Sequence, residues 1–284
     1  MLTQIPSITI ETIIGALILT GLAGFATTIG AGFSFVTTKP SVRLLAVGLG
    51  FSGGVMLAVS FIELLPSAID EFSAAGASDR DSFLLGNVWF FAGILCIFLV
   101  DILVPHLYKE EDSSRSSHIT DVTNNNKKHG SLSRGELQRI GVLTAVGIFI
   151  HNFPEGLVTF TSSLKSLELG FVLAIAVGLH NIPEGLSVSI PIVSATGNKW
   201  HAFRLGLLSG LAEPIGAFVA AFLLFPFLSP TLIGSSLAFV AGIMVFISFD
   251  ELLPAAKSAD DSHLVTLGII TGMIIMSLTL WMFS

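Results

Sequence analysis

The sequence predicts an all-α integral membrane protein, with eight transmembrane helices in a 3+2+3 inverted-repeat bundle. Three observations carry that reading. First, the 284 residues are 52% hydrophobic and only 12% charged, with a mean hydropathy of +0.85; a soluble domain carries about 25% charged residues and needs them for its polar shell. Second, long apolar runs recur along the chain, each near the ~20 residues that a helix needs to cross the hydrocarbon core. Third, segments near the two ends of the chain resemble each other. The same composition excludes disorder and collagen-like repeats. The single cysteine, Cys96, excludes an internal disulfide and a cysteine-built zinc site. A net charge of −7 leaves no footprint for nucleic acid.

Taken in order, the spans fall at 11–36, 44–66, 83–107, 140–163, 169–193, 203–228, 231–254 and 264–283. Lys and Arg keep to the ends of these runs, and none occurs from Leu205 to Ala256. The runs are continuous, which argues against a membrane barrel of short alternating strands. No basic leader or A-x-A site precedes the first span, so that span is expected to be retained. Residues 109–139 form the one long polar stretch, with Asn124-Asn125-Asn126 and Lys127-Lys128-His129, and read as a flexible cytoplasmic loop. Its His118 and His129 read as solvated loop residues. The whole chain, 1–284, is then one transmembrane domain.

Basic residues set the direction. Loops after spans 1, 3, 5 and 7, together with Arg204 in the first turn of span 6, hold 11 of the 13 Lys and Arg; the other side holds Arg80 and Lys165 only. By the positive-inside rule both termini face outward. Asp70, Glu71, Asp79 and Asp81 then make a mildly acidic outer entrance.

Gly53–Ala68 (GGVMLAVSFIELLPSA) and Ala241–Ala256 (AGIMVFISFDELLPAA) match at nine of sixteen positions, 188 residues apart. Gly24–Ala31 (GFATTIGA) and Gly210–Ala217 (GLAEPIGA) match at five of eight, 186 apart. Spans 1–2 therefore resemble spans 6–7. Repeats five spans apart cross the membrane in opposite directions, the inverted symmetry of many secondary transporters. Two unrelated apolar helices would not share Ser60/Ser248, Glu63/Glu251 and Pro66/Pro254. Ala46, Gly50, Gly54 and Ala58, and Gly206 with Gly210, recur at four-residue spacing and read as close helix packing.

The central pair of spans carries the chemistry. Span 4 reads His151-Asn152-Phe153-Pro154-Glu155-Gly156, and span 5 His180-Asn181-Ile182-Pro183-Glu184-Gly185. His and Glu four residues apart stack on one helix face, while the intervening Asn opens a second direction. Two adjacent antiparallel helices would aim these sets at each other. Pro154 and Pro183 are expected to loosen the helices there.

Glu155, Glu184 and Glu213 fall well inside apolar spans. If Glu costs as much as Asp at a helix centre, three cost about 8–10 kcal/mol. Either they are protonated or a cation from outside the protein neutralises them. A single intramembrane His is usually a packing residue, but two copies of His-Asn-x-Pro-Glu-Gly within 35 residues fit that reading poorly. Imidazole suits zinc; carboxylate and amide oxygen suit iron(II), manganese and cadmium. Two directions per helix suggest two adjacent metal positions. A nitrogen-rich one would use His151, His180, Glu155 and Glu184. An oxygen-rich one would use Asn152, Asn181 and Glu213, with the central glutamates bridging. Glu63, Asp250 and Glu251 are candidate pathway residues near opposite faces, and read equally well as capping or packing residues at helix ends. Met56 and Met244 read as packing, and Asp101 and His106 as interfacial.

The paired HNFPEG and HNIPEG motifs, the GLAEP segment and the SFDELLP segment resemble the ZIP family of divalent-metal transporters over nearly the whole chain. The resemblance implies eight helices in a three-two-three inverted arrangement, outward termini and a binuclear site between helices 4 and 5. It puts the metal ligands at His151, Asn152, Glu155, His180, Asn181, Glu184 and Glu213. It implies uptake of zinc, with iron(II), manganese or other divalent ions.

The function expected is import of these ions into the cytoplasm by alternating access, across a plasma (bacterial inner) membrane. An inside-negative potential of 100 mV favours a +2 ion by about 4.6 kcal/mol, roughly three decades of concentration. No GxxxxGK[ST] motif points to ATP hydrolysis, and no resident cofactor is expected. The partners expected are divalent metal ions and the lipid bilayer, with a homodimer as the one protein assembly considered. Two other classes fit the sequence less well. An intramembrane zinc hydrolase needs a general base, but the spacing here is His-x3-Glu rather than HExxH. A metal-regulated scaffold needs a partner domain, and the one sizeable loop is low-complexity.

Overall fold

A computed structural model describes residues 9–36, 41–103, 134–224, 229–259 and 263–283. Eight helices among them are long and apolar enough to cross a membrane, and none of the described residues is in a strand. α1 is Ile10–Gly32, closed by a 3-10 turn Phe33–Phe35. α2 runs Val42–Val59, through a π-turn Ser60–Leu64, to Leu65–Ala74. α3 is Asp79–Leu103, α4 Arg134–Lys165 and α5 Leu167–Thr196. α6 is Lys199–Val219 with a π-turn Ala220–Leu224. α7 runs Pro230–Phe246, π-turn Ile247–Leu252 and Leu253–Ala259, and α8 is His263–Phe283.

Every helix begins one to six residues before the apolar run that announced it. The reason is polar first turns. Thr9, Ser41, Asn198 and Ser229 cap α1, α2, α6 and α7 with side-chain oxygens that accept from the backbone three residues on. α4 accordingly includes Arg134–Arg139, so the stretch expected as loop ends earlier. Residues 104–133, with His106, His118 and His129, lie outside the described residues.

The helices pack as two bundles. α1, α4, α5 and α6 contact one another; α2, α3, α7 and α8 form the second group. α2 and α7 of the second group face α4 and α5 of the first. Glycines set the closest approaches. A Cβ at Gly54 would strike the Ile269 carbonyl of α8, and one at Gly272 the Phe51 carbonyl of α2. Within the first bundle Gly24 and Gly210 let α1 and α6 cross, each facing the other's carbonyl. The small-residue stripes read from the sequence are these contacts. Apolar side chains such as Ile14, Ile18, Phe25 and Ile29 on α1 are exposed on the outer surface of the bundle, as a lipid-facing surface requires.

The two repeat-related segments carry the same backbone feature. In α2 the Leu65 N–H bonds to the Ser60 carbonyl, and in α7 the Leu253 N–H bonds to the Ser248 carbonyl, five residues back in each case. Pro66 and Pro254 follow immediately. A proline lacks the N–H for the usual bond and crowds the carbonyl four residues earlier; a widened turn relieves both. Ser60 and Ser248 donate to the Met56 and Met244 carbonyls at 2.7 and 2.8 Å. Both methionines are buried core residues. In contrast, α4 and α5 stay α-helical through Pro154 and Pro183; the loosening expected there does not break either helix.

Candidate metal site

All seven residues singled out from the central motifs and from α6 are buried: His151, Asn152, Glu184, Asn181 and Glu213 fully, His180 and Glu155 nearly so. α4 and α5 present them to each other, and the pairing is reciprocal. His151 Nε2 lies 3.0 Å from Glu184 Oε1. His180 Nε2 lies 2.7 Å from Glu155 Oε1. Each histidine thus meets the glutamate of the opposite helix, not the one four residues along its own.

The amides tie this pair to the flanking helices. Asn181 Nδ2 donates to Glu213 Oε2 at 2.8 Å and to the Ala23 carbonyl of α1 at 2.9 Å. Asn152 Nδ2 donates to the Ser209 carbonyl of α6 at 3.2 Å. Ala23 and Ser209 are themselves 186 residues apart, the offset of the repeat. Glu213 is held close because its carbonyl packs on Gly156, where a Cβ would strike it.

With the donors assigned, five side-chain oxygens of these seven residues have no hydrogen-bond partner in the protein: Asn152 Oδ1, Asn181 Oδ1, Glu155 Oε2, Glu184 Oε2 and Glu213 Oε1. Buried polar atoms ordinarily find partners, and in a bilayer the cost of failing is higher. Five acceptors and no basic side chain is a donor set for a cation. A nitrogen and an oxygen bound to one zinc at 2.0–2.2 Å stand roughly 3.0–3.4 Å apart. The His–Glu separations already approach that span, so replacing the shared proton by a metal needs little movement within a pair. Gathering both pairs round one ion needs more. Among the described residues, no three His, Asp or Glu ligand atoms of this site lie within 4.8 Å of one another.

A cavity of about 270 Å³ leads to the site between the two bundles. Glu155 and His180 lie at its wall, with Glu63, Ser67, Ser236 and Met276 among the other lining residues. All of its lining falls in the half of each helix nearest the α4–α5 turn at Ser166. Glu63 thus belongs to the approach to the site.

The opposite end is closed. Arg139 of α4 pairs with Asp101 of α3 at 2.5 Å and lies 3.6 Å from Glu251 of α7. Asp101, Asp250 and Glu251 are the one acidic group whose ligand atoms fall within 4.8 Å among the described residues, beside a cavity of only about 10 Å³. Asp101 is therefore more than an interfacial residue, because its carboxylate fastens the two bundles together. Sequence reasoning missed Arg139, which sat one residue before the fourth apolar run. An arginine in helical phase with that run was the available signal only once the helix start at Arg134 was known.

Eight membrane helices in two bundles, with a buried cluster of carboxylates, amides and imidazoles reached by a cleft between them, are the architecture of a membrane transport protein. A model of the ZIP Zinc transporter family matches residues 7–280. The chain belongs to that family, whose members are transporters and not enzymes. It is 48% identical to the zinc transporter ZupT of Campylobacter jejuni, over 96% of this chain and 97% of that protein. Identity is 46% to the zinc transporter ZupT of Streptococcus mutans, over 94% and 97%. It is 45% to that of Chlorobium luteolum, over 93% and 96%.

Proposed function

We propose that this protein imports zinc, and with it iron(II), manganese and cadmium, into the cytoplasm across the plasma (bacterial inner) membrane, through a binuclear site between α4 and α5. The ligands are His151, Asn152, Glu155, His180, Asn181, Glu184 and Glu213. The single observation that carries this reading is the set of five wholly buried, unpartnered carboxylate and amide oxygens beside two imidazoles. The termini lie outside, from the 11-to-2 distribution of basic residues.

On that orientation the ~270 Å³ cleft faces outward and the Arg139 contacts close the inward end. An ion enters past Glu63, exchanges water for the central carboxylates and imidazoles, and leaves past Asp250 and Glu251. The packing supports exchange of access by movement of the α1-α4-α5-α6 bundle against the α2-α3-α7-α8 bundle, rather than of two three-helix repeats against a central pair. Reconstitution in proteoliposomes tests the reading: zinc accumulates with wild-type protein under an inside-negative potential. Uptake that survives Glu155→Ala combined with Glu184→Ala refutes the site.

A further inference from the structure

Thr27 is fully buried on α1, and its Oγ1 has no hydrogen-bond partner. That is unusual in this protein. Thr20, Ser60, Ser163, Ser194, Ser209 and Ser248 all donate to the carbonyl four residues back, the ordinary way to satisfy a hydroxyl inside a membrane helix. For Thr27 that carbonyl belongs to Ala23, and Asn181 Nδ2 occupies it at 2.9 Å. Thr144, the other buried hydroxyl in this condition, lies on α4 in no matching register.

The repeat says where the Thr27 hydroxyl belongs. An offset of 186 carries Gly24 to Gly210, Thr27 to Glu213 and Gly30 to Gly216. The contacts follow the same rule. The Glu213 carbonyl packs on Gly156 and the Thr27 carbonyl on Gly185. Gly216 receives the Phe153 carbonyl and Gly30 the Ile182 carbonyl. A Cβ at Gly24 would lie 3.0 Å from the Glu213 Cβ, and one at Gly210 would lie 3.0 Å from the Thr27 Cβ. Thr27 and Glu213 therefore occupy equivalent places on the two sides of the α1–α6 crossing. Glu213 reaches Asn181; the same exchange of α1 with α6 and α4 with α5 carries Asn181 to Asn152, whose Oδ1 is also unpartnered.

We infer that Thr27 is an eighth residue of the metal site, a neutral oxygen donor that, with Asn152, mirrors the charged Glu213–Asn181 half and sets which divalent ions the site accepts. The inference rests on the site proposed above. Its chemistry follows from the donor. A hydroxyl oxygen is hard and uncharged, so it narrows zinc's advantage over manganese and suits an ion that keeps part of its water. A second carboxylate at this place would add one more buried negative charge to three.

Competitive uptake of zinc and manganese by full-length protein in proteoliposomes tests it, with Thr27→Val, Thr27→Ala and Thr27→Ser. We expect Val and Ala to lower manganese uptake about tenfold, the worth of one lost ligand interaction, and zinc uptake less. Ser, which keeps the hydroxyl, rescues the wild-type ratio. An unchanged manganese-to-zinc ratio in Val and Ala overturns the inference, as does equal loss of both ions, which would mark a packing role. Glu155→Ala with Glu184→Ala, run beside them, separates the two failures: if it leaves uptake intact the site itself is wrong, and if it abolishes uptake the Thr27 result stands on its own.

Discussion

Glu155 on α4 bonds to His180 on α5, 2.7 Å away, and not to His151, its neighbour one turn back on the same helix face. The His151–Glu184 pair repeats the arrangement with the helices exchanged. Cross-bracing of this kind makes each ligand pair belong to two helices. In the site proposed above, stability and metal capture would be coupled, because each carboxylate that braces the two helices would also be a ligand.

The first prediction follows from that pairing. Adding Glu184→Ala to His151→Ala costs little beyond the worse single change, since the two act through one contact. His151→Ala with Glu155→Ala damages both pairs and loses more than the double change within one pair. Initial rates of zinc uptake in proteoliposomes, set out as double-mutant cycles, read the difference, with within-pair coupling of about 0.5–3 kcal/mol.

Backbone contact at Gly156 predicts a second result. Gly156→Ala drives a methyl into the Glu213 carbonyl, and overpacking of this sort costs about 1–3 kcal/mol or more. Gly21→Ala meets nothing within 4 Å and leaves the protein as stable as before. Thermal unfolding in detergent checks both; a Gly156→Ala midpoint equal to that of Gly21→Ala contradicts the packing described.

Arg139 carries the third. Arg139→Gln strips the cation from Asp101 and Glu251, with a loss of about 1.5–3 kcal/mol for the charged contact, and frees the inner ends of the bundles. In a Cys96→Ser background, a cysteine substituted for Leu143, beside the small inner cavity, reacts faster with a thiol reagent applied from the cytoplasmic side once Arg139 is removed. Equal rates with and without Arg139 would show that the contact holds nothing shut.

The cleft, on the orientation proposed above, gives the fourth. In the same background, Ser236→Cys on the cleft wall reacts with a membrane-impermeant maleimide added outside, and zinc slows the reaction. Labelling only from the cytoplasmic side would reverse the orientation proposed.

Much of this was legible in the sequence for a plain reason: charge in an apolar run is costly, so each of the central acids had to mean something. The helices, the two hexapeptides and the repeat all follow from that. Three features did not. The division into two bundles is invisible because protein-facing and lipid-facing residues are equally apolar in a membrane. The π-turns before Pro66 and Pro254 change a hydrogen-bond register that hydropathy does not sense. Arg139 and Thr27 were overlooked because one lay just ahead of an apolar run and the other is an unremarkable hydroxyl until its usual acceptor is seen to be taken.

The carbonyls of Phe153 and Ile182, midway through the two hexapeptides, rest directly on Gly216 of α6 and Gly30 of α1. Neither central helix can then tilt without dragging its neighbour. An ion held between them would ride with its cage as a passenger, instead of being passed hand to hand along a fixed corridor.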